Sequence, residues 1–197
     1  MLTQLERLRD RLRRELPARV ALRTQTGLNG SMVEFDFWGE HVSVDWPEML
    51  PQLADGRPAS TFDSAMLLYY LSQADGEIPN GVWISFRDLP GGGFYHQAFQ
   101  GYSGDRICRA FEADPDALGR SAAALGGWPL PEIATTAYAF QPLPLIRLAV
   151  VLWQGDEEIP SRATVLFDEM SSHHLPTDGL ALLGAGLAGR LLAHHGG

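Results

Sequence analysis

The chain has 197 residues, 45% hydrophobic and 20% charged, a balance that excludes disorder and fits one globular domain of ordinary size, residues 1–197. Its net charge of −9 excludes a phosphate-tracking nucleic-acid binder, which needs the opposite sign. All fifteen basic residues are arginine, so Schiff-base chemistry, a P-loop lysine and a kinase-type strand lysine are excluded for want of an amine.

A helix is predicted over residues 1–16. Leu2, Leu5, Leu8, Leu12 and Leu16 recur every three or four positions, the period of an amphipathic helix. Arginines between Arg7 and Arg14 interleave with Glu6, Asp10 and Glu15, which reads as a solvated face rather than a membrane-surface anchor. Pro17 ends this helix. "ARVALRTQTG" and "SMVEFDFWGEHVSVDW" then alternate with period two, as strands do. In the second, Val33, Phe35 and Phe37 oppose Glu34, Asp36 and Trp38, and Gly39 makes the tight turn of a hairpin.

"PASTFDSAMLLYYLSQADG" predicts a largely buried helix, with Ser60 and Asp63 in capping-box spacing and Gly76 beyond its end. "GVWISFRDL" is a short strand, "PGGGF" a flexible turn, and "FYHQAFQ" a strand or loop. Residues 103–113 and 115–125 are two short helices, the second opened by Pro115. "GGWPLPE" is a linker, and "LPLIRLAVVLW" and "RATVLF" are strands joined by an acidic turn. A terminal helix over 177–195 carries Gly184, Gly186 and Gly189, which weaken it or allow close packing. The expected class is therefore α+β, a mostly antiparallel sheet with helices packed on one face and helices at both termini.

One cysteine, Cys108, allows neither an internal disulfide nor a CxxC motif. Beside Ile107 and Phe111 it reads as a buried structural thiol. No apolar run reaches the roughly 18 residues of a bilayer span, and the charged start lacks a secretory apolar core. The expected compartment is the cytoplasm.

Candidate chemistry concentrates late in the chain. Asp156, Glu157 and Glu158 are consecutive carboxylates between two strands. Turned inward, they would need an arginine, a metal ion or backbone amides. Arg147 and Arg162, near the strand ends, could make the turn an ion-pair lock. Alternatively, Asp156, Glu157 and Glu158 join Asp168, His173, His174 and Asp178, with His96, as ligand or metal candidates, since carboxylates and imidazoles suit divalent metals. The spacings HExxH, HxH and EF-hand are absent. Five tryptophans, with Tyr69, Tyr70, Phe94 and Tyr95, could line a pocket for a flat ligand or pack the core.

The segments "LLYYLSQADGEIPNGVWISFRDLPGGGFYHQAF", "LGGWPL" and "PLPLIRLAVVLWQGDEEIPSRATVLFDEMSSHHLPTDGLALL" resemble the family described as domain of unknown function 3786, from about Gly27 to the terminal helix. Members are typical of anaerobic bacteria and archaea, and some carry a cysteine-rich iron–sulfur module that these 197 residues lack. The resemblance implies a shared fold and an accessory role near metal or corrinoid chemistry, and it assigns no catalytic residue. The expected function is an accessory or ligand-binding protein, its partner a small molecule or a protein and a divalent metal its admissible cofactor. A metal-dependent hydrolase using the acidic turn and the His/Asp loop is the alternative.

Overall fold

The computed structural model describes residues 2–195, with side chains from Leu5 onward. Of the positions read above, Met1, the Leu2 side chain, Gly196 and Gly197 lie outside the described residues. The class is α+β with antiparallel pairing and helices near both ends of the chain. The strands form two sheets rather than one, in two compact units: residues 1–78, 142–145 and 173–175, and residues 79–141, 146–172 and 176–197.

In the first unit, α1 (Leu2–Leu12) buries Leu5, Leu8 and Leu12, the stripe its leucine spacing predicts. Leu16 departs from that stripe. It is 69% exposed and is the N-cap of a second helix, α2 (Pro17–Thr24). The strand expected over "ARVALRTQTG" is this helix instead. Pro17 fixes the first helical position, where its missing N–H costs nothing. Burial falls on Val20, Ala21 and Thr24, a helical set, while Leu22 is 81% exposed.

The antiparallel sheet β1 (Gly27–Asn29), β2 (Met32–Phe37), β3 (Glu40–Asp45) and β4 (Pro51–Leu53) follows in chain order. Val33 pairs with Val44 and Phe35 with Val42, all buried. Trp38 and Gly39 take positive φ at the hairpin tip, as a two-residue primed turn requires. Helix α3 (Thr61–Gln73) begins at the predicted cap, Ser60 Oγ accepting the Asp63 amide at 3.0 Å. The buried Tyr70 phenol donates to the Thr24 carbonyl at 2.6 Å, and burial pushes its pKa up.

The second unit holds a sheet of order β5 (Trp83–Ser85), β9 (Arg162–Asp168), β8 (Ile146–Trp153), β7 (Ala137–Leu143), β6 (Trp128–Pro129). Strand β6 lies where a linker was expected. Side chains alternate across the sheet. Leu148, Val150 and Leu152 pair with Phe167, Val165 and Ala163 on one face. Helices α4 (His96–Tyr102) and α5 (Gly104–Phe111) belong to this face, since Phe99 lies 5.8 Å from the Phe167 ring and Gln100 Nε2 donates to the Ala163 carbonyl at 2.9 Å. The "FYHQAFQ" segment, expected as strand or loop, is therefore helical. Its Phe99 stacks on Phe86 at 4.2 Å between centroids, and that packing outweighs the strand preference of its aromatics.

Helices α6 (Pro115–Ala124) and α7 (Thr177–Ala193) complete the unit, and the cap of α6 is Asp114, accepting the Ala117 amide at 3.2 Å. Gly184, Gly186 and Gly189 reproduce a GxGxxG spacing. They lie inside α7, not at the strand-to-helix turn a dinucleotide pyrophosphate needs. A Cβ on Gly184 would come within 2.7 Å of Phe99, so close packing explains that glycine. Cys108 is buried on α5, and burial, then the Glu112 carboxylate, push its thiol pKa up, the inert structural thiol expected.

Candidate functional site

The acidic turn closes on itself. Asp156 Oδ1 accepts the amides of Glu158 and Ile159, both at 2.9 Å, its own amide donates to the Ile159 carbonyl, and Gly155 N–H donates to Ser161 Oγ. These backbone bonds, those from Glu158 and then Ile159, hold the Asp156 carboxyl below its ordinary pKa. Glu157 and Glu158 are exposed. The ion-pair lock expected from Arg147 and Arg162 does not form among the described residues. Arg162 instead lies 4.5 Å over the Trp153 ring, its cross-strand partner, where a cation meets the negative face of the indole.

Asp168 is fully buried at the end of β9. Its Oδ2 accepts the Gly81 amide at 2.7 Å, and its Oδ1 the amides of Met170 at 3.0 Å and Asn80 at 3.4 Å. Glu169 continues the tie, accepting Asn80 Nδ2 at 2.6 Å. A buried carboxylate needs such donors; the Asn80 and Gly81 amides pin the Asn80–Trp83 segment to β9, and the Met170 amide closes the turn after it.

In the first unit, His173 Nδ1 is 2.8 Å from Asp75 Oδ2. His174 is fully buried, donates Nε2–H to the Glu77 carbonyl at 2.8 Å, and has Nδ1 3.9 Å from Asp75 Oδ1. The Glu77 amide also donates to Asp75 Oδ1, at 3.2 Å. Burial raises the Asp75 pKa, but the His173 hydrogen bond, the Glu77 amide and the charges of both histidines together lower it further. The carboxylate at Nδ1 orients the His173 ring. Asp75 and Glu77 were not among the sequence candidates. They stand nearly a hundred residues from the histidines, and no local motif marks them.

The two remaining candidates stand at helix starts. His96 opens α4 with Nδ1 2.8 Å from the Gly93 carbonyl. Asp178, in the first turn of α7, is exposed, and together with burial, the larger cause, it raises the Tyr102 pKa. Of the eight candidates, His173 and His174 are brought together, through Asp75. Among the described residues, no three of His, Cys, Asp or Glu are grouped as a metal would require.

The aromatic expectation finds a place on the second sheet, on the face away from Phe167. Leu130, Ala137, Ala139, Ala149 and Val151 are buried there, and Trp83, Trp128, Trp153, Ala134 and Leu166 pack against them. The register agrees: Trp128 pairs with Ala139, Ala149 with Leu166, and Trp153 with Arg162. Small side chains from the central strands thus form a floor, and three half-buried indoles stand over it. Arg147 shares this face by the two-residue alternation through Ala149, Val151 and Trp153. Its Nε is buried and has no protein acceptor.

The fold and these sites define an α+β protein with an aromatic sheet face, a buried carboxylate knot and a surface Asp–His pair. The chain belongs to the family described as domain of unknown function 3786, whose profile matches residues 16–190. No curated protein and no solved structure matches the chain. No helix among the described residues is long and apolar enough to cross a membrane.

Proposed function

We propose that this protein is a non-catalytic accessory protein that binds a small, flat ligand on the tryptophan face of the second sheet. The observation that carries the proposal is the convergence of Trp83, Trp128 and Trp153 on a floor of alanine and valine. Indoles left half-buried on a sheet offer large, stiff apolar surfaces at little entropic cost. The carboxylates that would favour chemistry are otherwise engaged: Asp156 holds its own turn and Asp168 holds three amides.

The alternative, a metal-dependent hydrolase, has in its favour the 2.8 Å Asp75–His173 pair, a carboxylate-oriented imidazole of the kind that serves as base or ligand. The acidic turn and Asp168 add nothing to that pair.

The test is titration with N-phenyl-1-naphthylamine, a neutral flat fluorophore. Saturable enhancement with energy transfer from tryptophan is expected. It should fall sharply in Trp128→Ser and persist in Trp46→Phe, whose indole is in the first unit and donates to the Glu15 carbonyl. No saturable binding, or equal binding by both variants, would overturn the proposal.

A further inference from the structure

The ligand's charge is written into the same face. Arg147 stands at one end of β8, where its stem continues the line of Ala149, Val151 and Trp153. A buried guanidinium nitrogen normally finds an acceptor. Arg147 Nε has none from the protein, and among the described residues the guanidinium enters no ion pair. The nearest carboxylate in register is Asp168, because Leu148 pairs with Phe167 and the next step sets Arg147 beside Asp168. That carboxylate is committed to the amides of Gly81, Met170 and Asn80. The other arginine of the face, Arg162, is spread over Trp153. The strands of this face therefore carry two arginines against one carboxylate that is already coordinated, within a chain whose net charge is −9.

Trp83, on β5, pairs with Asp168 of β9, so it stands two strands from Arg147. That spacing is about 10 Å between backbones, within the combined reach of two long side chains on one face. An apolar ring lying against Trp83 would place a substituent at the guanidinium.

We propose that the ligand of this face is a planar anion, an aromatic carboxylate, whose carboxylate is taken by Arg147 while its ring lies against the indoles. This rests on the binding function proposed above and names the ligand class for that site. Arginine suits the task because its planar fork matches a carboxylate in two parallel hydrogen bonds, and its charge is permanent. A neutral ring of the same shape would gain the stacking but bring no counter-charge to the guanidinium, so discrimination should be large.

The experiment is calorimetric titration of the full chain with 2-naphthoate and with 2-naphthylmethanol, which share a ring and differ in charge. Naphthoate is expected to bind at least tenfold more tightly, with the advantage shrinking as salt is raised. Arg147→Met should remove the advantage and leave the alcohol unchanged, and Arg147→Lys should restore only part of it. Equal affinities in the native chain would overturn the anion assignment while leaving the aromatic face standing. Binding of neither compound would overturn both. The native comparison needs no variant, so it decides even if Arg147→Met fails to fold.

Discussion

Asp168 accepts the backbone amide of Gly81 at 2.7 Å across 87 residues of sequence. The bond fixes the start of β5 on β9, and the amides of Asn80 and Met170 complete the carboxylate's set. Replacing it with asparagine keeps one acceptor oxygen but sets an amide NH2 against N–H donors. Asp168→Asn is expected to cost about 2–3 kcal/mol, the scale of lost charge-assisted bonds and unsatisfied buried donors. Urea denaturation measures it. Asp156→Asn, in the exposed turn, should move the midpoint far less, and equal losses would refute the contrast.

Asp75 and His173 make a pH-dependent tie. The Asp75 pKa is lower in the folded chain than that of an ordinary aspartate. Its contribution is therefore fully present above the unfolded carboxyl pKa, and it is lost as pH falls through the lower folded one. Asp75→Asn should cost no more than about 1 kcal/mol at neutral pH, because the pair is solvated. The difference between the two proteins should narrow only below about pH 4, where the unfolded carboxyl protonates first. A gap that narrows between pH 7 and 5 would contradict this.

Two glycines of α7 should respond oppositely to alanine. Gly189 has nothing within 4 Å of an added Cβ, so Gly189→Ala should gain about 0.5–1 kcal/mol from helix propensity. Gly184 would press that carbon to 2.7 Å from Phe99, itself stacked on Phe86. Overpacking costs about 1–3 kcal/mol and outweighs the same gain. Thermal melts of the two variants check the sign of each change, and a stabilised Gly184→Ala would show the ring can move aside.

The first unit draws on distant sequence. Leu145, His174 and Leu175 belong to it and are buried, yet they lie far beyond residue 78. A fragment ending at Ile78 should therefore lack the dispersed amide spectrum of a folded protein. We propose that the full chain is one folding domain that unfolds in a single transition by calorimetry. A folded fragment, or two separate transitions, would overturn that.

Much of the fold was legible because short-range physics decided it. The stripe of α1, the β2–β3 hairpin, the capped start of α3 and the terminal helix each carry a period or a cap in their own residues. Errors came where local pattern and burial disagree. Residues 19–24 alternate on paper, but their buried set is helical, and the aromatic "FYHQAFQ" looks like strand until Phe99 finds Phe86.

The sequence by itself determined the class, the family and the inventory of chemical groups: permanent cations without lysine, one inert thiol, many indoles and a late run of carboxylates. Only the tertiary structure decided which of these act together. Asp75 meets His173, Asp168 meets Gly81, and three tryptophans share one sheet face with Arg147. Such pairings depend on strand order and chain crossings between residues tens of positions apart. A carboxylate's role is set by whichever donors the fold delivers to it, and no local spacing encodes that delivery.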